Sequence, residues 1–420
     1  MNLNPSPQRN FVVPGRSQVS EPHLTRATIT LFAIACGLSV ASIYFAHPLL
    51  GVIAHDLNAS PASIGLVVTA AQTGYALGLV FIVPLGDLVD RRKLIVSQTI
   101  FLSVALAAAG LASSLAVLLV SMTAMGLLAV AVQVIVAFAA SLAHPQERGR
   151  VIGTVTGGVV IGILLARVVA GALSDMGGWR IVYLTAALLT LVIALLLMRT
   201  LPREDKKQTK TSYVQLVGST FALFRVERIL RIRAAFAFLI FASFNVFWTP
   251  MALILGEPPF SLSQTQIGLF GLVGMAGALG AGFAGRFADQ GRGQVTTGLS
   301  LLLMLASWGF MSLIGSGLWA MVVGVVLLDL AIQAIHVTNQ SLILPIKPDA
   351  QSRILGGYMV FYSIGSGAGS ISSTLIYSYA GWSGVCWLGG SISIIALIIW
   401  LASRNAPASS VRSSVRRLQR

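Results

Sequence analysis

Apolar and polar residues alternate along this chain in long blocks. Apolar runs recur from end to end of the 420 residues, and short polar stretches separate them. Each run holds about 20 residues, enough for a helix to cross the ~30 Å hydrocarbon core of a membrane. Lipid offers the backbone no hydrogen-bond partner, so only helices and closed barrels span it, and these runs lack the alternation of barrel strands. The pattern therefore predicts an all-α polytopic membrane protein.

Twelve such runs can be counted, six before a long polar stretch and six after it. Their centres lie near Ile34, Tyr75, Leu106, Val130, Gly162, Leu191, Phe244, Met275, Met304, Asp329, Ser366 and Ile394. We therefore expect twelve transmembrane helices in two six-helix bundles.

Three pairs of matching residues recur in the two sets of six runs. They are GDLVD at 86–90 with GRFAD at 285–289, Gln133 with Gln333, and Gly178-Trp179 with Gly381-Trp382, at offsets of 199, 200 and 203 residues. Because an even number of spans separates the copies, both halves have the same orientation across the membrane. Such a parallel repeat predicts a substrate site near the midplane, between the halves.

The polar stretches divide the chain into five parts. We expect a cytoplasmic N-terminal tail at 1–26, the first bundle at 27–199, a cytoplasmic linker at 200–233, the second bundle at 234–403, and a basic cytoplasmic tail at 404–420. The linker carries Leu216, Phe221 and Phe224 among basic residues. This mixture predicts an amphipathic segment that lies on the anionic inner leaflet.

Basic residues are placed almost entirely on one side of the membrane. The chain has 28 Lys and Arg against 13 Asp and Glu, a net charge of +15. All the Lys and Arg except Arg167 and Arg180 lie in tails and loops that face the cytoplasm if both termini do. This positive-inside distribution explains the charge without a nucleic-acid partner. We expect a multi-pass protein of the cell inner membrane with both termini cytoplasmic.

Several function classes have no support in the sequence. Cys36 and Cys386, the two cysteines, both lie in apolar runs, which does not suit a disulfide framework or a metal cluster. No Walker sequence, nucleophile elbow or HExxH motif occurs. We therefore expect neither an enzyme nor an ATP-driven pump, and no cofactor.

The tenth run carries a line of polar residues, the polar stripe. Asp329, Gln333, His336 and Gln340 are spaced i, i+4, i+7 and i+11, with Asn339 beside them. On a helix this spacing keeps the four within about 60° of arc. Polar side chains can also join membrane helices to one another. Five polar groups that include an acid and a histidine favour a wall of the central cavity.

Two charged residues lie inside predicted spans, Arg167 in the fifth and Asp329 in the tenth. A charge at the bilayer centre costs at least ~2.5 kcal/mol on insertion scales, so both are functional candidates. Asp329 lies about ten residues, or ~15 Å, from the outer start of its helix, which is near the midplane. We expect Asp329 to carry a proton, with His336 as the second candidate. Arg167 keeps its charge and either binds an anionic substrate or forms a structural ion pair.

Further polar residues of other spans are candidates to line the cavity. The expected substrate-binding set is Arg167, Gln133, Gln333, Asn339, Gln340, Tyr44, Asn245 and Trp248. His47 is a further cavity candidate, although it precedes Pro48 close to the outer surface, where a solvated histidine is the alternative.

Two charged stretches carry a family resemblance. GDLVDRRKL at 86–94 resembles the loop between the second and third helices of the major facilitator superfamily, and GRFADQGRG at 285–293 resembles the second copy of that loop. The likeness extends to the chain length, the twelve spans and the central linker. YFAHPLL and FWTPMALIL resemble bacterial members that export drugs or metabolites by proton coupling. The resemblance implies alternating access around a midplane site.

The first of these loops also suggests a gate. Gly86 permits a tight turn, Asp90 can cap the third span, and Arg91 and Arg92 lie at the level of the lipid headgroups. The resemblance implies that Asp90 pairs with basic residues, such as Arg148 or Arg150, when the cytoplasmic side is shut. The expected gating set is Gly86, Asp90, Arg91, Arg92, Gly285 and Asp289.

The function expected from all this is secondary transport of a small molecule by alternating access, with proton-coupled efflux as the mode. The fourth span departs from many proton antiporters of the family, because Thr123 stands about where they carry an arginine. Import of a small organic anion is the alternative that suits Arg167. A membrane sensor that does not transport is a second alternative. The expected partners are the substrate, protons and membrane lipid, and the chain is expected to be a monomer.

Overall fold

A computed structural model of the chain describes residues 25–144, 146–202, 212–280, 290, 292–347 and 350–403. The predicted tail at 404–420, nearly all of the predicted tail at 1–26, and the predicted gating residues Gly285 and Asp289 lie outside the described residues. Helices make up nearly all of what is described.

The first half has six spans. They are Arg26–Tyr44 continued by Ala46–Asp56, Pro61–Ile64 continued by Leu66–Phe81, Arg91–Gly110, Leu115–Ala129 continued by Ala131–Leu142, Arg148–Gly177, and Trp179–Thr200. These are called the first to sixth spans below.

The second half begins after a helix in the linker, Tyr213–Val226. Its spans are Arg228–Trp248 continued by Met251–Gly256, Gln264–Gly280, Gly293–Ser312, Leu318–Ile343, and Gln351–Ser403, which holds both the eleventh and the twelfth. The seventh span therefore starts at Arg228, inside the range expected for the linker.

The spans agree with the sequence pattern. Ten helical stretches of the described residues are long and apolar enough to cross a membrane. The last of them, 53 residues long, contains Gly381 with non-helical backbone and so comprises two spans. Gln264–Gly280, with 17 residues, supplies the eighth span. The predicted all-helical polytopic fold is confirmed.

Two glycines at equivalent places show the internal repeat in the backbone. Gly178 precedes the sixth span with φ +81°, and Gly381 precedes the twelfth with φ +59°. An L side chain rarely adopts this region, whereas glycine does so at no steric cost. Each glycine is followed by a buried tryptophan, Trp179 or Trp382. The Gly-Trp repeat in the sequence thus marks the same turn in both halves.

Glycines also allow close helix crossings within each half. In the first half, Gly158 lies against the Ala33 carbonyl and Gly162 against Gly37, so the first and fifth spans touch backbone to backbone. In the second half, Gly365 lies in the same way against Phe238 of the seventh span. Small residues let membrane helices approach closely. The first and fifth spans therefore pair as the seventh and eleventh do.

The linker helix joins the two halves. The Tyr213 hydroxyl donates to the Phe81 carbonyl of the second span at 2.8 Å, and Arg353 of the eleventh donates to Ser219 at 3.0 Å. Its Phe224 ring stacks on Phe361 with centroids 5.2 Å apart. The sequence predicted that the apolar residues of the linker lie on the inner leaflet. In the structure one of them, Phe224, packs instead on an aromatic ring of the eleventh span.

The crossing of the first and fifth spans predicts a pair of variants with opposite outcomes. Gly158→Ala should lower the thermal unfolding temperature in detergent, because the new methyl group would meet the backbone of Ala33 and overpacking costs ~1–3 kcal/mol. Gly157→Ala is the matched control, because a Cβ there meets no described atom within 4 Å. Equal unfolding temperatures for the two variants would contradict this packing.

Candidate functional site

The two halves meet on the side predicted to face outward. The fifth span crosses the eighth where Gly171 lies against the Gln264 backbone. The second span meets the eleventh through two hydrogen bonds to carbonyls, from Ser370 to Gly65 at 2.8 Å and from Thr69 to Gly367 at 2.9 Å. Because these contacts involve the backbones, the halves are closed against each other at this end.

One acidic residue strengthens this closure. Asp175 of the fifth span accepts hydrogen bonds from the backbone N–H groups of Gln264 at 3.1 Å and Thr265 at 2.8 Å. These donors open the eighth span, which belongs to the other half. A carboxylate at a helix N-terminus satisfies free donors and offsets the helix dipole. Asp175 therefore caps a helix across the interface.

At the opposite end the same face of the fifth span meets none of the described residues. Gly149 and Gly153 lie eighteen residues before Arg167 and Gly171, about five helical turns, so each pair points the same way. A Cβ built at Gly149, Gly153 or Gly157 would meet no described atom within 4 Å. The face that packs on the eighth span near the outer end thus opens toward the predicted cytoplasmic side.

Arg167 lies buried where the closed and open parts meet. Its guanidinium carbon is 3.9 Å from the Trp248 ring centroid, 5.1 Å from that of Tyr44 and 5.6 Å from that of Phe244. The residue is 2% exposed. Its Nε and Nη2 atoms are buried and have no hydrogen-bond partner among the described residues. Aromatic faces stabilise the cation, while two of its donor atoms stay unused.

Asp329 lies beside the same indole. Its Oδ1 accepts a hydrogen bond from Trp248 Nε1 at 3.3 Å, and the residue is 6% exposed. Among the described residues no carboxylate lies within 4.0 Å of the Arg167 nitrogens, Asp329 included. Gly271 lies against the Arg167 side chain, and Gly274, one turn on, lies against Asp329. The eighth span thus brings the two charges to one place without a direct ion pair.

Hydroxyl groups and aromatic rings continue the site across the halves. The Tyr44 hydroxyl is 2.7 Å from that of Tyr362 in the eleventh span. The Phe241 ring lies 3.9 Å from Tyr362 and 5.1 Å from His336 between centroids. Tyr362 and Phe241 are absent from the set predicted from the sequence, because a lone aromatic residue in an apolar run resembles any packing residue.

Asn245 makes a further contact between the halves. Its Oδ1 accepts from His47 Nε2 of the first span at 3.2 Å, and its amide nitrogen donates to the Phe241 carbonyl at 3.2 Å. His47 is 0% exposed. The alternative of a solvated histidine is therefore excluded, because the seventh span covers His47.

The residues of the polar stripe differ in burial and in contacts: His336 and Asn339 bind Tyr358 of the eleventh span, whereas Gln333 is only half-buried. His336 contacts the Tyr358 hydroxyl at 3.0 Å and the Gln340 amide at 2.9 Å. Asn339 is fully buried and donates to the Tyr358 hydroxyl at 3.3 Å. Gln333 is half-buried. Asn339 therefore joins the tenth and eleventh spans within the second half, so direct substrate contact by Asn339 would require rearrangement there.

Arg233 is the third buried Arg, Lys, Asp or Glu side chain among the described residues, after Arg167 and Asp329. Arg233 of the seventh span is 1% exposed, and its Nη1 donates to Thr297 at 3.1 Å and to Asn339 at 3.2 Å. The predicted linker at 200–233 included Arg233, because Arg233 follows a run of basic residues. Its position at the inner end of an apolar stretch was the available signal.

Gln133 of the first half is half-buried and donates to the Tyr75 hydroxyl at 3.4 Å.

The hydrogen bonds described for Asp90, Arg91 and Arg92 lie within the first half. The Asp90 carboxylate accepts from the backbone N–H of Arg92 at 2.9 Å, which caps the third span. Arg91 Nε donates to the Gly86 carbonyl at 2.9 Å. The Arg92 guanidinium donates to the Met198 carbonyl of the sixth span at 2.6 Å. Arg150, an expected partner of Asp90, pairs with Glu147.

Two matching halves that enclose a buried charged site between them define a class of membrane transporter. The family model described as Major Facilitator Superfamily matches residues 32–281 and again residues 234–419. The chain belongs to the Major Facilitator Superfamily. It is a multi-pass membrane transporter of a small molecule, and not an enzyme.

Individual relatives agree with this placement. The chain is 46% identical over 377 residues to the "Uncharacterized transporter YgaY" of Escherichia coli O157:H7, covering 90% of this chain and 95% of that one. It is 30% identical over 384 residues to the "Probable transporter SCO4007" of Streptomyces coelicolor, covering 91% and 88%. Among solved structures, a bacterial homologue of the human lysosomal transporter Spinster, in an inward-facing and occupied conformation, superposes with a TM-score of 0.77 at 15% identity, covering 90% and 96%. That likeness concerns the fold.

The cap across the interface predicts how the outer side can be opened. Asp175→Ala removes the acceptor of the Gln264 and Thr265 N–H groups, so the outer ends should separate more often. Spin labels at His55 and Ser316, one in each half, would then show a longer distance population in lipid nanodiscs.

Asp56→Ala is the matched control for that variant. Asp56 also lies at the outer end, but it binds Trp179 and Arg180 of its own half. Its loss should leave the distance between the labels unchanged. The cap has no part in the closure if Asp175→Ala gives the wild-type distances.

Proposed function

We propose that this protein is a secondary active transporter of the bacterial inner membrane that works by alternating access and is coupled to protons through Asp329. Its outer ends are closed by backbone contacts, whereas a Cβ at Gly149 or Gly153, at the inner end of the fifth span, would meet no described atom within 4 Å. This difference is expected of an inward-facing state. The charged pair Arg167 and Asp329 lies at the boundary between the two. The distribution of Lys and Arg and the bacterial relatives support the inner membrane, with both termini cytoplasmic.

The single observation that carries the proposal is the position of Asp329. The Asp329 carboxylate accepts from the indole N–H and lies near an arginine. It can exist with or without its proton, because the carbonyl oxygen of the protonated form can still accept from the indole. The guanidinium of Arg167 has no such freedom. Asp329 is therefore the group whose protonation can alternate with substrate binding. His336 is the second candidate for this role.

The direction of transport has two candidates. Export in exchange for protons follows from the family resemblance, and it requires substrate and proton to compete at Asp329. Import of a small organic anion is favoured by one observation, the two unpaired donor atoms of Arg167. The sign of the proton movement distinguishes the two.

Proton coupling can be tested in liposomes that contain the purified protein and an internal pH-sensitive dye. A panel of amphiphilic drugs, sugars and organic acids would be added outside. We expect one class to move protons with wild type and not with Asp329→Asn, because the amide cannot exchange a proton. Asp56→Asn, an acid at the outer surface, is the control and should behave as wild type.

Two other outcomes would refute parts of the proposal. Movement of a compound without protons, equal in wild type and Asp329→Asn, would indicate facilitated diffusion. Saturable binding without any movement would indicate a sensor.

We also propose that Gly86, Asp90, Arg91 and Arg92 form the cytoplasmic gate of the first half, with Gly285 and Asp289 as its counterpart. The hydrogen bonds described for Asp90, Arg91 and Arg92 lie within the first half. In this proposal the Asp90 charge forms its ion pair when the inner ends meet.

The gate has its own test. Asp90→Ser keeps an oxygen that can cap the third span but removes the charge. We expect normal thermal stability, measurable substrate affinity and a turnover reduced several-fold, because the closed cytoplasmic side loses an ion pair. Asp90→Ala should lose the cap as well, at a cost of ~1 kcal/mol in stability. Wild-type turnover in Asp90→Ser would reduce Asp90 to a helix cap.

A further inference from the structure

One edge of the Arg167 guanidinium makes no hydrogen bond with the described residues. Nε and Nη2 lie on the same side of the planar group, and both are buried without a hydrogen-bond partner among the described residues. Buried donors are nearly always paired, since leaving one unpaired costs ~1–3 kcal/mol. Two parallel N–H groups on one edge match the two oxygens of a carboxylate. The unused edge therefore has the shape of a carboxylate site.

The protein's own acid does not fill this edge. Asp329 lies more than 4.0 Å from the Arg167 nitrogens, and its Oδ1 is bound to the indole nitrogen of Trp248. The indole holds both groups apart, with the guanidinium against its face at 3.9 Å and the carboxylate at its N–H edge. The edge is thus left for a group that the chain does not supply.

A cationic ligand fits this place poorly. Cations are recognised on aromatic faces, but the Trp248 face is already covered by Arg167, with Tyr44 and Phe244 also around the guanidinium. Arginine stays protonated at every accessible pH, so it cannot give way by losing its charge. A planar anion would instead take the free edge and lie against the neighbouring rings, among them Tyr44, Phe241 and Tyr362.

The charge balance of the site links the anion to a proton. With Arg167 positive and Asp329 ionised, the pair is neutral. An anion alone would give this buried place a net charge, which is expensive where the effective dielectric constant is low. A proton taken up by the Asp329 carboxylate restores neutrality. The anion and the proton therefore stabilise each other's binding.

We infer that the site binds a planar organic carboxylate on the Nε and Nη2 edge of Arg167 together with one proton on Asp329. This inference rests on the proposed function and gives its substrate class. Anion and proton then cross the membrane in the same direction, and the loaded site carries the same charge as the empty one. The proton gradient of the inner membrane would drive such a substrate inward.

The test is binding by the purified protein in lipid nanodiscs. Benzoate, cinnamate and indole-3-carboxylate would be titrated calorimetrically in two buffers of different ionisation enthalpy. At least one should bind and take up about one proton per site, and its affinity should fall about tenfold per pH unit on the alkaline side. The neutral amide of the same acid should bind at least ten times more weakly.

Variants assign the two roles separately. Asp329→Asn should bind the carboxylate without proton uptake and with no dependence on pH, because the amide resembles the protonated acid. Arg167→Gln should lose binding, whereas Arg167→Lys should keep a weakened part of it. Arg233→Gln is the control for loss of a buried arginine and should retain proton-linked binding. If the Arg167 variants do not fold, the titrations of wild type and Asp329→Asn in the two buffers still show whether carboxylate binding is accompanied by proton uptake on Asp329.

Three results would overturn the inference. They are no saturable binding of any of the three carboxylates, binding without proton uptake, or binding of benzyltrimethylammonium with proton release. The liposome measurement separates these from failure of the proposed function. Proton movement with another class of compound would remove the carboxylate assignment alone, whereas no transport of any compound would remove both.

Discussion

A cation that cannot lose its charge is buried where the two halves of this transporter meet. Arg167 has no acid within ion-pair distance among the described residues, and it is stabilised by aromatic faces and, at longer range, by Asp329. A desolvated cation–π contact contributes about 2 kcal/mol, less than an isolated buried charge costs. Close approach of the eighth span, through Gly271 and Gly274, keeps water out and the acid near. The outer closure and the polar site therefore depend on the same crossing of helices.

The sequence predicts the architecture well, because the membrane leaves few solutions. Apolar runs of spanning length gave the helices, and the Gly-Trp pairs marked a turn that both halves share with positive φ at Gly178 and Gly381. Arg167 and Asp329 stood out for a related reason, since charge within a span is expensive. Both lie beside Trp248, as one site requires.

Other features were out of reach because they depend on packing between distant segments. His47 is buried by a contact with Asn245, 198 residues away, and nothing near His47 in the chain indicates it. Asn339 belongs to the polar stripe by spacing, yet it turns toward Arg233 and Tyr358 inside its own half. Helical periodicity tells which residues share a face, and it does not tell which neighbour that face meets.

The two interfaces between the halves are chemically unequal, although the repeat makes them equivalent in position. Between the second and eleventh spans, hydroxyl groups bond to carbonyls. Between the fifth and eighth spans lie Arg167, Asp175 and the glycines that cross them. The crossing of the second and eleventh spans thus holds the halves together by neutral hydrogen bonds, whereas the crossing of the fifth and eighth spans carries the charged residues.

The fifth and eighth spans touch backbone to backbone where Gly171 lies against Gln264 and where Gly268 lies against the Arg167 carbonyl, and these contacts have a consequence for leakage. Contacts between backbones at this distance are either made or lost, because no side chain is present that could stretch across a partial opening. The outer end therefore has two distinct states and few intermediate ones. A state open at both ends would forfeit every one of these contacts, including the Asp175 cap, with no compensating contact at the inner end. Rare population of that state is what keeps ions from flowing freely through a protein that carries charge in its centre.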